Sequence, residues 1–299
     1  MENKKNTTLG LITARGGSIR LPRKNIKEFC GIPLVAWSIL QSRCSRLIDL
    51  TVLTTDDPEI AAIGRKYGAK VIMRPVMDND ITAGVPFRMA IEELENDGYI
   101  IDDILCILPT SPLKKPNDLD NLVEYYRLLK QYEDIDQMDV FSPDRETFIF
   151  KNVEEMVNNY NKPYHVTRSL ADKNWNYSKL GGGWNIGKRD YLMKCWHNTS
   201  DFDTEIDKQL DENMFDKKQK IVAYSIEPWQ CFETDYESYF KICELLMEEF
   251  VLKGRGMSVY TDYARNFRKI VEVDDEQKSL DFEKYVGNNN QLHTEFGGD

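Results

Sequence analysis

The stretch Leu11-Ile12-Thr13-Ala14-Arg15-Gly16-Gly17-Ser18-Ile19-Arg20-Leu21-Pro22-Arg23-Lys24-Asn25 begins as a short apolar strand and breaks at once into a basic loop containing paired glycines. Arg15, Arg20, Arg23, Lys24 and Lys27 put five cationic side chains into thirteen residues with no acid among them. The chain as a whole carries a formal net charge of −11. Such a concentration of positive charge is therefore local rather than part of a solubilising surface. Gly16 and Gly17 let the backbone approach a ligand and turn N–H groups toward it, while Arg and Lys neutralise phosphate oxygens. The combination predicts a triphosphate cradle directly after the first strand. It has neither the GxxxxGK[ST] of a P-loop nor the GxGxxG of a dinucleotide-binding turn, so a different nucleotide fold is expected.

Outward from this loop, the first half of the chain alternates short apolar runs with segments of helical period. That is the pattern of βαβ units, a mainly parallel sheet layered between helices in an α/β, Rossmann-like arrangement. Strands are predicted over 9–13, 50–54, 70–73, 104–108 and 138–141. Phe87, Ala90, Ile91 and Leu94 recur three or four apart, as do Leu119, Leu122, Val123, Tyr126 and Leu129, and both sets predict helices with one face in the core. Pro58 after Asp56-Asp57 starts a helix ending near Tyr67, and Pro116 with Asp118 starts the later one through capping chemistry. Between 142 and 180 the pattern loosens into a polar, aromatic stretch with Tyr160, Tyr164 and Trp175, which reads as an insertion. Ile186 and the run 221–226 return the chain to the sheet, and 236–250 predicts an amphipathic helix. One domain over 8–252 results, with a polar extension over 253–299 whose final residues are expected to be mobile.

At 299 residues and 41% hydrophobic composition, the chain can bury a substantial core. Its acidic balance argues against an extended nucleic-acid surface, which needs a basic face. The six cysteines show neither CxxC nor metal-finger spacing and read as free, largely buried thiols. No apolar run has the length of a signal peptide or membrane span, so a cytoplasmic protein without membrane contact is expected.

The basic loop resembles the signature ARGGSKRIPRKN of the CMP-sialic acid synthetase family of cytidylyltransferases. Ala14 to Ser18, Arg20 and Pro22 to Asn25 match it, with Leu21 for Ile and Ile19 for Lys. Further similarities follow in order. Thr54-Thr55-Asp56 resembles the family's S-T-D, and Arg74-Pro75 with Asp80 resembles LRP…D. Leu108-Pro109-Thr110-Ser111-Pro112-Leu113 resembles QPTSPLR. Gly182-Gly183-Trp184-Asn185-Ile186 lies where the family has NGAIYI, and Phe232-Glu233-Thr234-Asp235 lies at its acidic DIDTE segment. The resemblance spans about 9–250.

That resemblance implies a nucleotidyltransferase fold with an inserted dimerisation segment at 142–180, and transfer of CMP from CTP to a small acidic acceptor with release of pyrophosphate. It places Ala14, Arg15, Gly16, Gly17, Ser18, Arg20, Lys24 and Asn25 around the CTP phosphates and ribose, with Arg15 and Lys24 as the catalytic cations. Arg74, Asp80 and Thr82 would line the cytosine end. Thr110, Ser111, Lys179 and Asn185 would face the acceptor. Transfer at the α-phosphorus needs positioning and charge neutralisation rather than a covalent protein intermediate. A Mg²⁺ ion suits that need, and Glu233 and Asp235 are its candidate ligands. Other readings stay open. Arg74 could be a surface ion-pair residue, Asp80 a helix N-cap, and Glu233 and Asp235 the favourable charge and capping at a helix start. His165 and His197 are possible bases or ordinary surface residues. A nucleotide-binding homologue without turnover and a related glycosyltransferase are the alternative functions. The latter would need an Asp-x-Asp metal motif ending a central strand, whereas Asp102-Asp103 precedes its strand.

The chain departs from the pattern at Ile19, at Leu108 in place of Gln, at Cys231 in place of Asp, and in the 179–185 region. These changes fall on the acceptor and metal side. They predict a modified nonulosonic acid, or a smaller acid such as a phosphonate, in preference to N-acetylneuraminic acid. The acceptor-bearing enzyme is expected to be a homodimer through the aromatic insertion.

Overall fold

A parallel strand covered by helices on both faces is buried along most of its length, and β1 (Thr7–Ala14) and β6 (Ile101–Ile107) have this character. The computed structural model describes residues 7–77, 84–141, 183–197, 221–253 and Tyr260. After β1, a single 3₁₀ turn (Lys24–Ile26) leads to a small hairpin of β2 (Glu28–Phe29) and β3 (Ile32–Pro33), then α1 (Leu34–Cys44). Next come β4 (Leu50–Thr55), α2 (Pro58–Lys66), β5 (Lys70–Met73), α3 (Gly84–Asn96), β6 and α4 (Asp118–Lys130). The second half supplies β7 (Gln137–Phe141), β8 (Trp184–Lys188), α5 (Arg189–His197), β9 (Ile221–Ser225) and α6 (Glu237–Leu246), which runs on into a π-helical stretch, Met247–Leu252.

Seven strands form one sheet in the order β5-β4-β1-β6-β8-β7-β9. All neighbours are parallel except β8, which runs antiparallel to both β6 and β7. From β1 the chain moves outward through β4 and β5, and then crosses back to place β6 on the other side of β1. Ligands of open α/β sheets bind beyond the carboxyl ends of strands at such a reversal. Because β8 is reversed, its first residue, Trp184, pairs with the last of β6, Ile107, so the start of β8 joins the same edge.

Local chemistry explains the helices that frame this edge. Asp57 caps α2 by accepting from the Glu59 and Ile60 N–H groups, and Pro58 occupies the first turn as expected. The helix stops where Gly68 adopts φ 87, with its N–H and that of Ala69 satisfied by Arg65 and Gly64 carbonyls. The expected cap at α4 takes a different form. Asn117 is the N-cap and makes no side-chain cap bond, while Asp118 accepts from Lys115 N–H and from Gln230 Nε2. Asp118 thereby fastens the preceding loop instead of the helix.

Two apolar layers sandwich the sheet. One gathers α1, α4 and α6 around Trp37, Leu105, Tyr126, Ile186 and Phe240; the other packs α3 and α5 around Leu9, Val52, Ile91, Ile104 and Leu192. Tyr260, in the C-terminal extension, is buried in the first layer, edge-on to Trp37 at 5.6 Å. All six cysteines are free thiols, with Cys30, Cys106 and Cys243 buried. Burial pushes the Cys243 thiol up to about 12, which makes it unreactive near neutral pH. Among the described residues no helix is long and apolar enough to cross a membrane.

Candidate active site

The basic loop leaves β1 at the carboxyl edge and is held there by acids that follow the neighbouring strand β4. Gly16 N–H donates to Asp56 Oδ1 at 2.8 Å. A β-carbon on Gly16 would lie 2.5 Å from Asp57 Oδ2, so glycine is required for this close approach. A side chain at Gly17 would meet no atom within 4 Å, which leaves the backbone open to a ligand. Asn25 is buried and closes the loop by donating from Nδ2 to the Arg15 carbonyl at 3.0 Å. Arg23 takes up the left-handed conformation, φ 56, which is uncommon for a residue with a side chain. Its guanidinium is pinned by Asp57 and Glu59, and the Arg23 hydrogen bond holds the Asp57 carboxyl below its ordinary value.

Asp56, at the end of β4, has a second role. Its Oδ2 faces Arg74 Nη1 at 3.4 Å, and Arg74 is itself buried with Nε lacking a partner. Burial lowers the Arg74 pKa despite the nearby Asp56. Arg74 is therefore no surface ion-pair residue: it is carried into the interior beside the glycine turn, with donor capacity left over.

The acidic segment meets the loop from across the molecule. Lys24, almost wholly buried, places Nζ 2.6 Å from Asp235 Oδ1, joining residues 211 apart in sequence. Arg20 reaches the other oxygen of Asp235 at 2.5 Å. Burial pushes the Asp235 carboxyl up, but the Lys24 hydrogen bond and charge, aided by Arg20, override this and hold it below the ordinary value. Tyr236, not Asp235, is the N-cap of α6, and it makes no side-chain cap bond. Asp235 is thus directed at the basic loop and not at its own helix.

Glu233 is half-buried, and its Oε1 accepts from the Ser111 hydroxyl at 3.1 Å. Burial raises its pKa, Ser111 lowers it and Asp235 raises it, with a net upward shift. The Thr234 N–H and hydroxyl both donate to the Thr110 carbonyl, at 2.9 and 3.2 Å. Ser111 is buried, so its hydroxyl faces Glu233. Asn185 lies within the sheet and donates to Asp139 at 3.1 Å, leaving its buried Oδ1 without a partner. Thus Ala14, Arg15, Gly16, Gly17, Ser18, Arg20, Lys24, Asn25, Arg74, Thr110, Ser111, Glu233 and Asp235 gather at one edge. Asp80, Thr82, Lys179, His165 and the aromatic insertion lie outside the described residues.

A model of the family described as cytidylyltransferase matches residues 9–246.

The chain belongs to the cytidylyltransferase family.

A pseudaminic acid cytidylyltransferase of Campylobacter jejuni is 40% identical over 121 residues, 40% of this chain and 52% of that relative. A CMP-N,N'-diacetyllegionaminic acid synthase of Legionella pneumophila is 32% identical over 123 residues, 40% of this chain and 53% of its own length. The chain spans about half the length of these curated relatives. In fold it is similar to CMP:2-keto-3-deoxy-manno-octonic acid synthetase complexed with CTP, with a TM-score of 0.55 and 16% identity over 82% of this chain and 99% of that one.

Within this site, some residues carry no assignment from the sequence. Asp56 was visible as the acid of Thr54-Thr55-Asp56, but nothing in the spacing shows that it binds both Gly16 and Arg74. Lys114 sits in Lys114-Lys115-Pro116, which reads as solvated charge, yet its side chain is fully buried. Gln230 has no motif at all.

Proposed function

We propose that the chain transfers CMP from CTP to a nonulosonic-acid-like acceptor, releasing pyrophosphate. The observation that carries this reading is the contact of Lys24 with Asp235, which closes a cationic glycine loop against an acidic segment at the sheet's switch edge. An acceptor hydroxyl oxygen forms the new bond to the α-phosphorus, the bond from that phosphorus to the bridging oxygen breaks, and pyrophosphate leaves with the electron pair as the hydroxyl loses its proton. Arg15, Arg20 and Lys24 neutralise the triphosphate, the Gly16-Gly17 backbone admits it closely, and Arg74 offers donors toward the base.

Mg²⁺ fits the acidic side. Among the described residues no group of three or more His, Cys, Asp or Glu side chains forms a metal cage. Mg²⁺ bound together with phosphates needs only one or two protein carboxylates, and Glu233 keeps Oε2 clear of the Ser111 bond. Glu233 would hold the ion and Asp235 would join it once phosphate takes over Lys24 and Arg20. Bound Mg²⁺ supplies neutralisation of the phosphate oxygens.

The names of the relatives support a nonulosonic acid as acceptor, and Leu108 at the end of β6 supports a modified one over N-acetylneuraminic acid. A phosphonate remains the second acceptor in the same class of chemistry. A glycosyltransferase has less support, because Asp103 lies at the opposite end of β6, bound by Tyr126 and Lys130. The reading includes a cytoplasmic homodimer. Pyrophosphate release from CTP and Mg²⁺, measured across a panel of nonulosonic acids, 2-keto-3-deoxy-octonate and small phosphonates, tests it. Donor-sugar hydrolysis without pyrophosphate would favour the glycosyltransferase.

A further inference from the structure

Lys114 is fully buried beneath the active edge, and the chemistry outlined above does not use it. Burying an ammonium costs several kcal/mol unless it is well partnered, and an apolar side chain of similar volume is often the more stable choice. Lys114 donates to the carbonyl of Ser111, and its Nζ lies 5.8 Å from the centre of the Trp184 ring. The carboxylates facing it come from two other places, Asp118 at the start of α4 and Glu233 in the acidic segment.

The loop that Lys114 closes is held at every carbonyl. Thr110 accepts from Thr234 N–H, Ser111 from Lys114 Nζ, Pro112 from Gln41 Nε2, Leu113 from Gln230 Nε2 and Lys114 from the Tyr260 hydroxyl. Five successive acceptors are thus bound, four from distant parts of the chain and Ser111 by Lys114 from within the loop, which fixes the path of 110–114. Ser111 alone in this loop turns its side chain to Glu233. On its far side Gly183 leaves it room, since a β-carbon there would come within 2.6 Å of Ser111 Oγ.

We propose that Lys114 is a positioning residue which, by holding the Ser111 carbonyl, aims the Ser111 hydroxyl at Glu233 and sets that carboxylate for the metal–triphosphate. The proposal rests on the nucleotide reading given above. Lys114 touches no substrate; it acts through Ser111. Outer partners of this kind are worth about 10–100-fold in metal affinity.

The test is calorimetric titration of CTP into the full-length protein, once with Mg²⁺ and once with EDTA. The variants are Lys114→Met, Lys114→Arg, Ser111→Ala and the Lys114→Met/Ser111→Ala double. Lys114→Met and Ser111→Ala should each weaken CTP binding about tenfold in Mg²⁺ and leave it unchanged in EDTA. The double variant should be no worse than the weaker single, and Lys114→Arg, which keeps charge and donor, should stay within about threefold of wild type. Equal loss in Mg²⁺ and EDTA, additive losses in the double, or wild-type Mg²⁺-dependent affinity in a folded Lys114→Met would each overturn the proposal. Should Lys114→Met fail to fold, Ser111→Ala decides: an undiminished Mg²⁺-dependent affinity there overturns it. Wild-type protein that binds no CTP in either buffer would remove the nucleotide reading itself, and this proposal with it.

Discussion

Lys24 and Arg15 carry the most weight at the level of single residues, because the reaction asks the protein for charge neutralisation at a developing oxyanion. Lys24→Ala and Arg15→Ala should each lower the CMP-transfer rate at least about a hundredfold, with an unchanged circular dichroism spectrum. Near-wild-type rates would take the loop out of the active site. Lys114 gives a pH dependence whose sign can be worked out. Burial lowers its pKa to about 7 from 10.5, so between these values the unfolded chain holds more protons than the folded one. Stability from this group is therefore full above about 10.5 and is lost as pH falls through about 7. Lys114→Met, which has no such group, should gain most on wild type near pH 6, with the gap closing toward pH 10; denaturant unfolding at both ends checks this, and a constant gap contradicts it. The two lysines also mark how far residues could be read from the sequence. The match of an acid-free basic run exposed Lys24, whereas Lys114 stands beside Lys115 in a polar turn, and only the tertiary path of 110–114 buries one of them.

Among the elements, the parallel core was legible because β1, β4, β5 and β6 are short apolar runs closed by turn chemistry, and α2, α3 and α4 show one apolar stripe each. Helix α1 left no such mark. Residues 34–42 are all buried, so the helix is covered on every side and has no polar face to reveal a period. The reversal of β8 was equally hidden, since strand direction depends on the connection across 142–182 and not on the five residues of the strand. That reversal is what brings Gly183 to the site. Gly183→Ala should displace the Ser111 hydroxyl from Glu233 and lower kcat about tenfold, with a smaller effect on stability. Wild-type kcat would show that the Ser111–Glu233 contact is dispensable. Gly16→Ala tests the opposite wall: its β-carbon meets the Asp57 carboxylate, which caps α2 and holds Arg23. A loss of about 1 kcal/mol in unfolding free energy is expected, of the size of a lost N-cap.

For the molecule as a whole, the sheet order places the switch point between β1 and β6, and the acidic segment before α6 closes it from the far side of the chain. The fold class and the two motifs that meet were readable from one sequence; their meeting was not, because 211 residues separate Lys24 from Asp235 and nothing local couples them. The expected homodimer is tested by light scattering, where a mass twice the 34.9 kDa of the chain is the outcome sought. A monomer at micromolar concentration counts against it. CMP transfer is tested most directly by a coupled pyrophosphate assay on the purified protein with CTP, Mg²⁺ and a modified nonulosonic acid, run beside Lys24→Ala. One pyrophosphate released per CMP-acceptor formed is expected, dependent on CTP and Mg²⁺, and slowed at least about a hundredfold by the substitution. Absence of pyrophosphate with every acid tried, or release at a near-wild-type rate in Lys24→Ala, would contradict it.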